Sequence, residues 1–233
     1  MNVHIRTPNQ GLQEPQVKQT LERLHRAARG DALVFLRGLP DGLAAKMRGK
    51  SMFDGFEPHM KNAFIQISHG AGEAIYNTAR AIGAKRIVEF GTSFGVSTIY
   101  LACAVRDNGG GTVIGSELEP AKVKTARQNI ASAGLEFFVE VREGDALSTL
   151  ANIEAPIDLV LLDGWKDLYI PILKMLTPKL RRGSAVFADN INTFKKTLRP
   201  YVTHMRDPQN GYVTTTLSTG SGLEYSVYVG AEN

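Results

Sequence analysis

The sequence predicts an α/β fold built on a mostly parallel sheet, on three observations. From about residue 85 onward, β-branched runs alternate with amphipathic helical stretches, a glycine-bearing turn follows the first run, and two alternating segments joined by STGSGL close the chain. Parallel strands are expected at residues 86–90, 112–116, 137–142, 157–162 and 184–188, each followed by a turn and a stretch of helical period. After a helix near residues 193–205, YVTTTL and EYSVYV alternate as edge strands do, and their Gly/Ser connection suits an antiparallel hairpin at one edge of the sheet.

Upstream of the first strand, VKQTLERLHRAA has the period of an amphipathic helix and LRGLPDGLA is expected to be a turn. NAFIQISHGAGEAIYNTARAIGA is helical in its second part, with Gly70 and Gly72 opening the helix that precedes the first strand. The expectation is one domain over residues 1–233. Residues 1–64 form a helical cap or lid over the ligand-binding edge, and residues 65–233 form the catalytic core.

A chain of 233 residues with 43% hydrophobic content can bury one large core. It holds no run of about eighteen apolar residues and no signal-peptide centre, so a cytoplasmic address and no membrane partner are expected. Cys103 is the single cysteine, which excludes an intramolecular disulfide and a thiolate metal cluster; its apolar setting TIYLACAV predicts a buried structural thiol. The net charge of +4 is a small excess. Lys179, Arg181, Arg182, Lys195, Lys196 and Arg199 cluster near expected helix ends, where cations oppose the negative end of the helix dipole, so nucleic acid is not expected as a partner.

In VEFGTSFGVSTIYLA the first strand runs into Gly91 and Gly95 and then into a helix, which lets backbone approach a ligand at the strand's carboxyl end. The spacing is G-x-x-x-G, so the pyrophosphate fingerprint G-x-G-x-x-G is absent. Glu89 precedes this turn, and Glu117 ends the second strand, where an acid can accept hydrogen bonds from both ribose hydroxyls of an adenosine ligand. Asp145 and Ala146 follow the third strand, where a contact to the adenine edge is expected; taken alone, Asp145 is equally a helix N-cap.

LVLLDGWKDLY places Asp163 at the end of strand four, and VFADNI places Asp189 and Asn190 at the end of strand five. Two carboxylates and an amide oxygen make a hard donor set suited to Mg²⁺, whereas none of the five histidines has zinc-ligand spacing. Lys166, three residues past Asp163, reaches the same pocket and is the candidate general base. Taken singly, Trp165 reads as core, Glu224 as a solvated strand residue, and the Asp189-Asn190 pair as a turn; beside Asp163 and Lys166 the turn explanation of the pair would need four coincidences at adjacent strand ends.

Together, LLDGWKDLY, ADN, GLEYSVYVG, VEFGTSFGVS and the E-x-x-P after strand two resemble the catechol O-methyltransferases from about residue 65 to the end. The resemblance implies a Rossmann-like seven-stranded methyltransferase sheet and transfer of a methyl group from S-adenosylmethionine to one hydroxyl of a metal-held catechol or related vicinal-diol phenol. It also implies that Asp163, Asp189 and Asn190 hold Mg²⁺, that Lys166 is the base, and that Trp165 walls the substrate pocket. Asn190 and Lys166 border the substrate, and Glu224 bonds the second hydroxyl. Cofactor contacts are implied for Ile67, Glu89, Gly91, Ser97, Glu117 and Asp163. Two departures touch the substrate mouth: Gly164 stands where the mammalian enzymes resemble a bulkier His, and the first 60 residues do not align. A homodimer is compatible with the N-terminal helices. The competing readings are a metal-independent methyltransferase, a nicotinamide-dependent oxidoreductase, and an adenosine-ligand sensor without chemistry.

Overall fold

The computed structural model describes residues 11–28, 32–49 and 66–230. Its strands are β1 (Arg86–Phe90), β2 (Thr112–Glu117), β3 (Val139–Glu143), β4 (Ile157–Leu162), β5 (Leu180–Ala188), β6 (Tyr212–Leu217) and β7 (Leu223–Tyr228). They form one seven-stranded sheet in the order β3-β2-β1-β4-β5-β7-β6. The first five pair in parallel, and β7 runs antiparallel to both β5 and β6. The expected sheet, terminal hairpin included, is the one observed. Its order reverses between β1 and β4, and in such sheets the crevice at the carboxyl ends beside the reversal is where ligands bind.

The helices are α1 (Pro15–Ala28), α2 (Ala32–Met47), α3 (His69–Ala81), α4 (Val96–Asp107), α5 (Pro120–Ser132), α6 (Ala146–Thr149), α7 (Tyr169–Leu176) and α8 (Lys195–Arg206). Both faces of the central strands are covered, so these strands read as continuous apolar runs. Ile87, Leu159, Leu161, Ala185 and Phe187 point into a cluster shared with α1, α3, α4 and α5. Their neighbours Val88, Val160, Leu162, Val186 and Ala188 point into the opposite cluster with α7 and α8. Helix α1 contributes Val17, Leu21 and Leu24 to the first of these cores.

Four features differ from expectation. Residues Glu136–Phe138 form a 3₁₀ turn, and β3 starts at Val139 because that residue pairs with Val113, next to the first residue of β2; no partner strand extends back to Phe137, which is 89% exposed. Strand β5 starts earlier, at Leu180 opposite Ile157, and carries an irregularity before Ala185 in which Gly183 takes φ +87°. LRGLPDGLA is not a turn: it lies within α2, whose Leu, Ala, Lys and Met residues favour helix and carry it through Pro40. Lys195 and Lys196 open α8 at its positive end, rather than opposing a negative one.

Helix α3 begins at His69, capped by the Ser68 side chain, so Gly70 and Gly72 lie in its first turn as expected. Gly72 is required by packing, since a Cβ there would lie 2.5 Å from the Tyr100 ring. Cys103 is fully buried, and burial pushes its thiol up to about 12. No helix among the described residues is long and apolar enough to cross a membrane.

Candidate active site

The loops after β1 and β4 touch. Gly91 has φ +97°, and a Cβ there would lie 2.6 Å from the Gly164 backbone nitrogen and 2.7 Å from the Asp163 carbonyl, so glycine is required both by conformation and by close approach. The Asp163 backbone nitrogen donates to the Phe90 carbonyl at 2.8 Å, and the Asp189 nitrogen donates to the Leu162 carbonyl at 3.0 Å. These bonds extend the β1·β4 and β4·β5 ladders by one residue and set Asp163 and Asp189 side by side. Register therefore assembles the site.

On the β1 side, Gln66, Ile67, Gly91, Ser93, Ser97 and Asp163 line one small pocket. Glu89 is fully buried beneath it; its Oε2 accepts from Thr92 Oγ1 at 3.1 Å and Thr98 Oγ1 at 2.5 Å, while Oε1 has no partner. Burial raises its pKa, against the hydrogen bonds that its charged form accepts from neighbouring hydroxyls. A buried carboxylate oxygen left without a donor is costly, and a donor on a bound ligand would satisfy it. Gln66 is a further residue of this kind: its Oε1 is buried without a partner while its Nε2 lies 3.0 Å from His25 Nδ1. Glu117 accepts from the Ser93 nitrogen at 2.8 Å and the Glu119 nitrogen at 3.0 Å, which fixes the carboxylate against the glycine loop with lone pairs still available. Asp145 caps α6, accepting from the Leu147 nitrogen at 3.1 Å, with buried Ala146 beside it.

On the β4–β5 side, Lys166 Nζ donates to Tyr169 Oη at 2.9 Å and lies 3.5 Å from Asp163 Oδ1. It also stacks over Tyr169 and Phe194, 5.1 and 5.4 Å from their ring centres. Tyr169 Oη donates onward to the Asp189 carbonyl at 3.2 Å. Burial pushes the Lys166 ammonium toward its neutral form, against the pull of Asp163 and Asp189. Burial likewise raises the Asp163 carboxyl, with Lys166 opposing and the charge of Asp189 reinforcing. Asp189 is raised by burial as well, against hydrogen bonds from the Asn190 backbone and the Ser221 side chain.

Asn190 has φ +68°, a conformation that few residues other than glycine adopt and that asparagine tolerates. Its Nδ2 donates to Asp189 Oδ2 at 3.1 Å and to Ser221 Oγ at 2.7 Å, and Ser221 Oγ donates to Asp189 Oδ1 at 2.9 Å. With its nitrogen so used, the amide presents Oδ1 as the end left for a ligand. No group of three His, Cys, Asp or Glu side chains suited to a metal occurs among the described residues. The donor set formed by Asp163, Asp189 and Asn190 nevertheless fits a hard divalent cation: two adjacent carboxylates, Asp189 buried and Asp163 largely so, share the one cation of Lys166, and an amide oxygen stands beside them.

The structure thus brings Ile67, Glu89, Gly91, Ser97, Glu117, Asp163, Lys166, Asp189 and Asn190 to one edge of the sheet. Trp165 is 51% exposed, so it belongs to the rim and not to the core. Glu224 is paired with Ala188, next to Asp189, but its buried carboxylate already accepts from Arg206 Nε at 3.2 Å and Thr214 Oγ1 at 3.0 Å, and from Thr216 Oγ1 as well. Sequence reasoning missed Gln66, Tyr169 and Ser221. Tyr169 has a signal, being three residues past Lys166, whereas Ser221 reaches Asp189 from 32 residues away.

Comparison with known proteins agrees with this architecture. Residues 88–191 match the family model of a methyltransferase domain. The chain is 35% identical over 128 residues to a catechol O-methyltransferase of Mycobacterium tuberculosis, covering 54% of this chain and 57% of that protein, just over half its length. It is 29% identical over 231 residues to catechol O-methyltransferase B of Danio rerio, covering 92% of this chain and 84% of the relative. Among solved structures, the cofactor-bound protein Rv0187 from MTB superposes with a TM-score of 0.65 at 28% identity, covering 70% of this chain and 82% of that one. Residues 88–191 are therefore similar to a methyltransferase domain, the whole chain folds on a Rossmann-like seven-stranded sheet, and it is similar to the catechol O-methyltransferases.

Proposed function

We propose that the chain is an S-adenosylmethionine-dependent O-methyltransferase that methylates one hydroxyl of a vicinal-diol phenol held at a divalent-cation site. The observation that carries this reading is Asp163: it lines the pocket beside Gly91 and Ser97 and also stands 3.5 Å from Lys166, so methyl donor and base would meet at one residue. The catechol O-methyltransferase names of two relatives support the reaction and the substrate class, and the similar solved structure is itself cofactor-bound.

In this reading Glu117 accepts the ribose hydroxyls, and the unpartnered oxygens of Glu89 and Gln66 accept polar hydrogens of the donor's amino-acid end. Asp163, Asp189 and Asn190 would hold Mg²⁺, which when bound polarises a phenolic oxygen and favours its ionisation. Lys166, kept toward its neutral form by burial and oriented by Tyr169, takes the hydroxyl proton on Nζ. The phenolate oxygen then forms its bond to the sulfonium methyl carbon, and the carbon–sulfur electron pair leaves with sulfur. The products are the methyl ether, S-adenosylhomocysteine and a proton carried on Lys166. Positioning supplies most of the rate, since two reactants must be held about 3 Å apart on one axis. Trp165 forms the rim of the phenol's slot.

The test is methyl transfer from labelled donor to a vicinal-diol phenol in Asp189→Ala and Lys166→Ala. Asp189→Ala should lose at least about a hundredfold in turnover while its affinity for S-adenosylmethionine stays near that of the parent. Lys166→Ala should lower kcat by about 10²–10⁴-fold with a smaller change in KM. Full activity in Asp189→Ala removes the metal from the reaction, and a pure KM effect in Lys166→Ala assigns that residue to binding.

A further inference from the structure

Past Asp189 and Asn190 the chain continues through Ile191 and Asn192, tied to the β6–β7 hairpin by bonds from their nitrogens to the Gly222 and Ser221 carbonyls at 3.0 and 2.9 Å. These two residues begin a second cavity, a groove of about 750 Å³ walled by α8 and by Thr216 of β6. Lys195, Arg199, Val202 and Arg206 line it at intervals of four, three and four, the spacing that aligns side chains on one helix face. Asp207 at the far end is the one acidic residue in its wall.

Arg206 is committed to Glu224 and to Thr216 Oγ1, the latter at 2.9 Å. Lys195 and Arg199 are exposed, and among the described residues neither has a carboxylate partner. Their position is also unfavourable for the helix. Lys195 is the first residue of α8, no acid stands in its first turn, and Phe194 supplies no side-chain cap, so cations crowd the end where the helix dipole is already positive. An anion in the groove would offset both the dipole and the unpaired cations. The nucleic-acid alternative does not suit a concave cleft whose lining starts one residue beyond Asn190.

We propose that this groove receives the carboxylate of the phenolic substrate, so that the preferred substrate is a vicinal-diol phenol bearing an acidic side chain, read by Lys195 and by the planar fork of Arg199. The proposal rests on the methyl-transfer reading of the neighbouring site. It predicts selectivity through binding, because Lys195 and Arg199 meet the tail and not the reacting oxygen.

The measurement is kcat/KM for a vicinal-dihydroxyphenyl acid and for its methyl ester, with S-adenosylmethionine and Mg²⁺. It is made on the parent, on the double variant Lys195→Ala/Arg199→Ala, and on Lys196→Ala, an exposed cation of the same helix outside the groove. The parent should prefer the acid by about fivefold, mostly through KM, as expected for two partly screened charge pairs. That ratio should fall toward one in the double variant, weaken with added salt, and persist in Lys196→Ala. Equal rates for acid and ester in the parent, or a ratio that survives in the double variant, overturn the proposal. If no phenol is turned over, the methyl-transfer reading fails and equilibrium dialysis of the labelled acid decides the groove. Weaker retention by the double variant than by Lys196→Ala supports it, and equal retention overturns it.

Discussion

Gly164 has no side chain because Phe90 occupies the space: a Cβ at that position would lie 2.4 Å from the Phe90 ring. This packing accounts for the glycine that stands between Asp163 and Trp165, since the buried Phe90 ring leaves no room for a side chain there. Gly164→Ala should therefore destabilise the protein by about 1–3 kcal/mol, the usual cost of overpacking a filled site. Adding Phe90→Leu should recover part of that loss, and thermal or denaturant unfolding of the single and double variants reads both effects. No coupling between the two substitutions would separate the residues. The candidate residues Asp163, Lys166, Asp189 and Asn190 were the most legible part of the site, because they sit at or just past strand ends whose period is plain in the sequence. What surrounds them was not legible. Trp165 and Asp145 have side chains whose type suits several settings, and only the fold shows one on the rim and the other capping α6. Ser221 sits in a Gly/Ser connection that suggests a turn, and its contact with Asp189 depends on where β7 lies beside β5.

At the scale of elements, the strands buried on both faces were read with correct cores, while their ends depended on neighbours. Residue 137 has the aromatic character of a strand, yet β2 does not reach back to pair with it. Strand β5 lengthens past its irregularity because Ile157 still finds Leu180. The same corner holds Asp158, a buried acid that accepts from the Lys85 and Arg86 nitrogens at 2.8 and 2.9 Å and from Arg181 Nε at 2.6 Å. Burial works against its charge, but the Arg86 and Lys85 backbone bonds and Arg181 outweigh burial and hold the carboxyl below its ordinary value. A depressed folded pKa stabilises above the unfolded value of about 3.9 and is lost as pH falls through the folded one. Asp158→Asn should thus lower stability at neutral pH by about 1–3 kcal/mol, and its difference from the parent should shrink toward zero below about pH 3. A difference independent of pH in urea unfolding would show that the charge does not matter there.

At the scale of the molecule, the site is a product of topology. The two halves of the parallel sheet diverge from β1 and β4, and the glycine loop, the acid pair, the lysine and the amide come from the carboxyl ends of strands that the reversal leaves side by side. The antiparallel hairpin adds Ser221 behind the acids and, with α8, walls the cationic groove. The N-terminal helix completes the arrangement from the other side: His25, in the last turn of α1, lies against Gln66 at the pocket wall. In the proposed reading, methyl donor, base and cation ligands would have separate supports that meet at Asp163. The most direct test is methyl transfer from labelled S-adenosylmethionine to paired vicinal-diol and single-hydroxyl phenols, run with Mg²⁺ and again with excess EDTA. Labelling of the diols alone, lost with EDTA and restored by added Mg²⁺, is the result predicted; labelling that ignores EDTA would contradict the assignment of Asp163, Asp189 and Asn190.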